Sequence, residues 1–109
     1  MDTGMKTGFI GLGNMAAAMI GGMLEKGLVK SGEIIGSAKT DATRQKIKGK
    51  FNITVVSDNC QTAREADILF LAVKPLILPQ VIAEIREAVR EDTLIVSIAA
   101  GKTLSWLKE

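Results

Sequence analysis

Gly11, Gly13 and Ala16 stand in a G-x-G-x-x-A spacing directly after the apolar pair Phe9-Ile10. A glycine in the first place permits a tight strand-to-helix turn. A glycine in the second removes the side chain that would keep a diphosphate away from the backbone. A small residue in the third lets the following helix pack closely on the strand. That helix opens with unpaired N–H groups and the positive end of its dipole. The chemistry served by this spacing is dinucleotide binding. The spacing alone also fits an ordinary glycine turn, because 11 of the 109 residues are glycine. Its place between a strand-like and a helix-like run, near the chain start, favours the first βα turn of a doubly wound sheet.

A second group of residues bears on which dinucleotide is bound. An NAD-binding unit places an acid near the tip of the second strand, to take the ribose hydroxyls. Here the strand runs into Ser37-Ala38-Lys39-Thr40, and Asp41 comes late. Hydroxyls and an ammonium attract a 2′-phosphate that a carboxylate would repel. NADP(H) is therefore expected over NAD(H), and Arg44 or Lys46 could lean toward the same phosphate. A solvated loop with an incidental lysine is the alternative. Asn59, after the third strand, reads either as a ribose contact or as a turn residue capping the next helix.

These residues need elements to hold them. Thr7 to Ile10 reads as the first strand after a loose leader from Met1 to Lys6. A helix is expected from Asn14 to Glu25, with Gly27 as its stop. Met15, Met19 and Met23, with Ile20 and Leu24, give it an apolar face to pack on the sheet. Gly21 and Gly22 signify either close packing or simple tolerance. Glu33 to Ser37 is the second strand, Thr43 to Lys50 a short basic helix with a solvated face, and Ile53 to Val56 a third strand. Thr62 to Ala66 is a one- or two-turn helix. Asp67 to Val73 is a near-continuous apolar run, the mark of a strand buried on both faces. It stops at Lys74-Pro75. A helix from Pro79 to Arg90 follows, with Val81, Ile82, Ile85, Ala88 and Val89 on its apolar face. Leu94 to Ile98 is another buried strand, ending in Ala99-Ala100-Gly101. Thr103 is expected to cap a further helix carrying Trp106, which is either a core plug or part of a surface facing more protein.

The fold class is thus α/β, a Rossmann-type doubly wound and mostly parallel sheet of about five or six strands with helices on both faces. Ligands in such sheets bind outside the carboxyl ends of the strands. The turns at Ala72–Pro75 and Ala99–Gly101 therefore open onto the crevice of Gly11–Ala16, and their small residues leave room for a nicotinamide ring.

Bulk properties narrow the function. The length suits one domain. Hydrophobic residues make up 47 %, which suits strands covered on both faces. The formal charge is +2, from 14 basic and 12 acidic residues, with no basic stripe. Nothing argues for a nucleic-acid or membrane partner. There is no histidine, which removes histidine metal sites, Ser-His triads and histidine bases. Cys60 is the single cysteine. It excludes an internal disulfide and fits a reducing compartment, so a cytoplasmic setting is expected. No apolar run approaches the ~18 residues of a membrane span, and no signal-peptide pattern opens the chain.

With these residues collected, the chain resembles the N-terminal cofactor domain of the pyrroline-5-carboxylate reductases. The likeness runs from Gly8 to about Lys108. It is carried by Gly8-Phe9-Ile10-Gly11-Leu12-Gly13-Asn14-Met15-Ala16, by Asp67-Ile68-Leu69-Phe70-Leu71-Ala72-Val73-Lys74-Pro75, and by Val96-Ser97-Ile98-Ala99-Ala100-Gly101. The resemblance implies hydride transfer from NAD(P)H to the C=N carbon of 1-pyrroline-5-carboxylate, giving proline. It places dinucleotide contacts on Ile10, Gly11, Leu12, Gly13, Asn14 and Met15, and on Ser37, Lys39 and Thr40. Further contacts fall on Asn59, on Ala72, Val73, Lys74 and Pro75, and on Ile98, Ala99 and Ala100. Ala38 departs from the family pattern, since many relatives place a hydroxyl there. The resemblance further implies a helical second domain, outside these 109 residues, that builds a homo-oligomer and holds the small-molecule substrate. Residues 1–109 then form the dinucleotide-binding domain alone, binding cofactor without turning over substrate. No side chain here stands out as a catalytic acid or base, and Lys74 reads as a cofactor-contact or structural residue before a catalytic one. The competing readings are another NADP-linked oxidoreductase, of the β-hydroxyacid dehydrogenase or deazaflavin-dependent type, and a non-enzymatic dinucleotide sensor.

Overall fold

The computed structural model describes residues 5–98 and 102–103. Its elements are β1 (Thr7–Ile10), α1 (Asn14–Glu25), β2 (Ile34–Ser37), α2 (Asp41–Phe51), β3 (Thr54–Val56), α3 (Asn59–Glu65), β4 (Ile68–Leu71), α4 (Leu78–Ile85), β5 (Leu94–Ser97) and β6 (Lys102–Thr103). The strands form one sheet of order β3-β2-β1-β4-β5-β6. The first five are parallel, and β6 runs antiparallel to β5. The strand order changes direction beside β1, as a doubly wound sheet requires.

Right-handed crossovers put α1 and α2 on one face of the sheet and α3 and α4 on the other. The alternation of strand side chains feeds both layers. Phe9 packs with Ala16, Ile20 and Ile47, while its neighbour Ile10 packs with Ala63, Ala66, Val81 and Ile85. Phe9 also stacks on Phe70 of the adjoining strand, with ring centroids 5.0 Å apart. β1 and β2 are buried along their whole length.

Helix ends follow from local chemistry. α1 ends in a Schellman arrangement: Gly27, at φ 69°, donates its N–H to the Leu24 carbonyl, and Leu28 donates to that of Met23. α2 starts two residues before the expected Thr43 because the Thr40 hydroxyl caps it, accepting from the Thr43 N–H. α3 starts at Asn59 because the Asp58 carboxylate accepts from the Cys60 N–H. α4 stops at Ile85, short of the expected Arg90. The Ile85 carbonyl then accepts from both Ala88 and Val89 in a turn. Those two side chains still pack on the core.

Two expectations are corrected. Met15 does not pack on the sheet with Met19 and Met23; it is 58 % exposed at the start of α1. Lys102 and Thr103 form β6. The expected helix beyond Thr103, with Trp106, lies outside the described residues, as does the Ala99-Ala100-Gly101 turn.

Candidate dinucleotide site

The β1–α1 turn separates the roles of its two glycines. Gly11 has φ 94°, a conformation that side chains other than hydrogen disfavour. A Cβ there would also stand 2.5 Å from the Ala72 carbonyl oxygen, so the end of β4 passes directly over it. Its N–H is engaged by the Ser37 carbonyl at 2.9 Å. Gly11 is thus a hinge between three strands, and its own amide is not offered to a ligand. Gly13 is exposed, and a Cβ there would meet nothing within 4 Å. The space it leaves is open to solvent, as a site for an approaching phosphate requires.

The end of α1 beside Gly13 is built for an anion. Gly13 is its N-cap and supplies no side-chain acceptor, and the first turn carries no acid. The first intrahelical bond runs from Ala17 N–H to the Gly13 carbonyl. The amides of Asn14, Met15 and Ala16 therefore have no partner within the helix. These amides and the helix dipole favour negative charge. Ile10 and Leu12 turn their side chains into the core, at 1 % and 5 % exposure, and can meet a ligand only through the backbone. The Leu12 side chain fills the space above Gly36, where a Cβ would come within 2.7 Å of it.

The tip of β2 differs from expectation. Ser37 is fully buried, and its hydroxyl donates to Asn59 Oδ1 at 2.6 Å. It lies beneath the tip and cannot reach out toward a 2′-phosphate. Asn59 is itself 8 % exposed, and its amide donates to Glu84 Oε1 at 2.9 Å. Capping of α3 falls to Asp58, so Asn59 instead forms a buried strut between β2, α3 and α4. Lys39 and Thr40 are exposed at the tip. Arg44 turns back along the loop, donating from Nη1 to the carbonyls of Ala38 and Lys39 at 2.7 and 3.0 Å. Sequence reasoning missed three of these contacts: Arg44 with the loop carbonyls, Glu84 with Asn59, and Asp58 as a cap. Only the last has a local signal, an acid just before a helical run.

The third side of the site is the end of β4. Ala72 donates to the Ile10 carbonyl at 2.8 Å, and Ile98 donates to that of Leu71 at 3.2 Å. Because β1, β4 and β5 are neighbours, Gly11–Met15, Ala72–Pro75 and Ile98 share one crevice. Ala72, Val73 and Ile98 are half-buried, and Lys74 and Pro75 are exposed. The Lys74 carbonyl accepts from Ile77 and Leu78, which turns the chain into α4. Ala99 and Ala100 are outside the described residues. An open groove of about 650 Å³ leads from Gly13 and Asn14 along α1 and α2 to Phe51, meeting the crevice only at that corner. Among the described residues, no group of histidine, cysteine, aspartate and glutamate side chains could hold a metal.

Residues 6–101 match the family described as NADP oxidoreductase, coenzyme F420-dependent. The chain belongs to this family. It is also 40 % identical over 102 residues to the pyrroline-5-carboxylate reductase of Escherichia coli strain K12, covering 94 % of this chain and 38 % of that protein. The chain therefore spans well under half the length of that relative. A solved pyrroline-5-carboxylate reductase from Coxiella burnetii superposes with a TM-score of 0.80 at 28 % identity, over 85 % of this chain and 34 % of that one. A Plasmodium falciparum pyrroline carboxylate reductase solved with NADP bound gives 0.71 at 28 % identity, over 90 % of this chain and 34 % of that one. The expected doubly wound fold and the resemblance read from the three motifs agree with these likenesses. Among the described residues, no helix is long and apolar enough to cross a membrane.

Proposed function

We propose that this chain is the dinucleotide-binding part of an NAD(P)H-dependent pyrroline-5-carboxylate reductase. The observation that carries the reading is the uncapped, acid-free start of α1 beside the open space at Gly13, set at the carboxyl end of the strand where the sheet changes direction. The residues fit a dinucleotide: amides of Leu12 to Met15 for the diphosphate, and the exposed tip of β2 at Lys39 and Thr40 for the adenosine half, with the buried Asn59 supporting that tip from beneath through Ser37. Ala72 to Pro75 and Ile98 to Ala100 would take the nicotinamide half. When bound, the reduced nicotinamide supplies the hydride that goes to the C=N carbon of 1-pyrroline-5-carboxylate, the imine nitrogen being protonated as L-proline forms.

The chain's own contribution is positioning, which can account for a large share of a barrier when two reactants must meet. Side-chain bulk is small at Ala72, and Ile98 packs on the same face of the sheet beside it. In this reading the exposed Lys74 is a cofactor-contact or structural residue at the same turn. The substrate-binding groups belong to the remaining length that such reductases carry, where a homo-oligomer interface also belongs, and the setting is cytoplasmic. NADP(H) is preferred over NAD(H), because the β2 tip presents Lys39 and Thr40 and no acid.

Titrating the 109-residue chain with NADPH and NADH, followed by nicotinamide fluorescence, tests the reading. The expected result is saturable binding, tighter for NADPH, without proline formation from 1-pyrroline-5-carboxylate. Absence of binding to either nucleotide overturns the reading. Equal affinity overturns the preference, and proline formation by these residues overturns the division of labour. The family's own description favours a second reading, a deazaflavin-dependent NADP reductase. Assay of a longer polypeptide with both substrates separates the two.

A further inference from the structure

We propose that Arg44 is the positioning residue that gives this chain its preference for a 2′-phosphorylated dinucleotide. The inference rests on the dinucleotide reading above and deepens it at the β2 tip. Arg44 lies in the first turns of α2 and is only part-exposed. Its Nη1 donates to two successive carbonyls, Ala38 at 2.7 Å and Lys39 at 3.0 Å. Both peptides are trans. In a trans peptide the N–H points opposite to the C=O. Drawing those two carbonyls in toward α2 therefore turns the amides of Lys39 and Thr40 outward, at the tip. Neither amide has an acceptor among the described residues. Successive outward amides form a concavity suited to an anion, and the exposed Lys39 ammonium stands on the same three-residue loop.

The nearby acid is held out of the way by the same side chain. Asp41 Oδ1 is 3.5 Å from Arg44 Nη2, and Asp41 Oδ2 accepts from Gln45 at 2.8 Å. An acid at the tip would take ribose hydroxyls and repel a phosphate. Here it lies along α2, partnered. Thr40 fixes the remaining end of the loop by capping α2 and by donating its hydroxyl to that of Thr43 at 2.8 Å. The loop is thus preorganised, with two amides and one ammonium facing out and its carboxylate neighbour turned aside. Arg44 achieves this with two nitrogens of one planar guanidinium, Nη1 on the two carbonyls and Nη2 toward Asp41, a span that the single nitrogen of a lysine cannot cover.

The test compares Arg44→Lys, Arg44→Ala and Lys39→Ala with the parent chain. Affinities are measured for NADPH and NADH, and for adenosine 2′,5′-bisphosphate against 5′-AMP, with melting temperatures to verify folding. Arg44→Lys keeps the charge and loses that span. It is expected to lower the NADPH-to-NADH affinity ratio by about tenfold, the loss that follows when charge-assisted contacts to a phosphate are misplaced. NADH affinity should move by less than about twofold, since the diphosphate amides of α1 are untouched. Lys39→Ala should reduce the same ratio. Retention of the parent ratio by Arg44→Lys and Arg44→Ala overturns the inference while leaving the dinucleotide reading intact. A parent chain that binds both nucleotides equally overturns the inference together with the cofactor preference, and one that binds neither overturns the reading beneath it.

Discussion

Gly11 and Gly13 are two residues apart and chemically identical, yet their substitutions should fail in different assays. Gly11→Ala forces a Cβ into a left-handed backbone and against the Ala72 carbonyl at 2.5 Å. Backbone strain of this kind plus a backbone clash costs about 3 kcal/mol or more, so a large drop in urea midpoint is expected. Gly13→Ala meets no neighbour and keeps φ at −80°. Its stability should stay within about 1 kcal/mol of the parent, the scale of an N-cap change, while NADPH affinity falls about tenfold or more as the methyl occupies the phosphate approach. A Gly13→Ala chain that melts normally and binds normally would show that the diphosphate lies elsewhere. Asn59 makes the complementary case. Asn59→Ala leaves the Ser37 hydroxyl buried without its acceptor, a loss of about 1–3 kcal/mol. Removing both partners in Ser37→Ala/Asn59→Ala should cost less than the sum of the single changes, because the orphaned donor disappears. Additive costs in that double-mutant cycle would show that the 2.6 Å bond contributes no coupling.

At the scale of elements, α1 carries an internal comparison. A Cβ on Gly21 would lie 3.3 Å from the Phe51 ring of α2, whereas Gly22 faces open space. Gly22→Ala should therefore stabilise the chain by about 0.4–1 kcal/mol through the unfolded state alone. Gly21→Ala gains the same and loses it against Phe51. Thermal melts should rank Gly22→Ala above the parent and Gly21→Ala no higher than it; the reverse order would mean that α1 and α2 do not meet as described. The sequence read this helix to its ends, because strand-to-helix glycines, the apolar periodicity and a C-terminal glycine are all local signals. β1, α1 and Gly27 are as read for that reason. α2 and α3 begin earlier than read because Thr40 and Asp58 cap them, and a cap is weaker in the sequence than an apolar stripe. The site divides in the same way. The turn at Gly11–Gly13 is legible because the chemistry needs glycine at fixed places. The inward turn of Ser37 and the Asn59–Glu84 strut are not, since each joins residues 22 and 25 positions apart in the chain. Met15 is exposed because Ala16 and Ile20 are the α1 residues that face the core, and Met15 lies off that face.

Across the whole molecule the sheet has two unlike ends. At the carboxyl ends of the strands, amides and cations are left open to a ligand. At the amino ends, polar groups are matched to one another. Asp67, just before β4, accepts from the Lys6 N–H ahead of β1 at 2.7 Å and from Arg90 at 2.6 Å. Arg90 also donates to the Ala66 carbonyl at 2.8 Å, and the Thr93 hydroxyl ahead of β5 joins it there at 3.1 Å. Three central strands are thus tied at one end, and the crevice at the other rests on that tie. The Lys6 N–H first, and Arg90 second, hold the Asp67 carboxyl below its usual range. A carboxyl whose pKa is depressed in the folded state contributes stability that is present above its unfolded value, near pH 4, and is lost as pH falls through the lower folded value. Asp67→Asn should therefore be less stable than the parent at pH 7, and the gap between their urea midpoints should close as pH drops below about 4. Because the leading cause is a backbone hydrogen bond, added salt should narrow the gap only in part; it screens the half-exposed Arg90 pair and not the Lys6 bond. A gap that persists unchanged at low pH would show that the Asp67 charge does not hold the strands together.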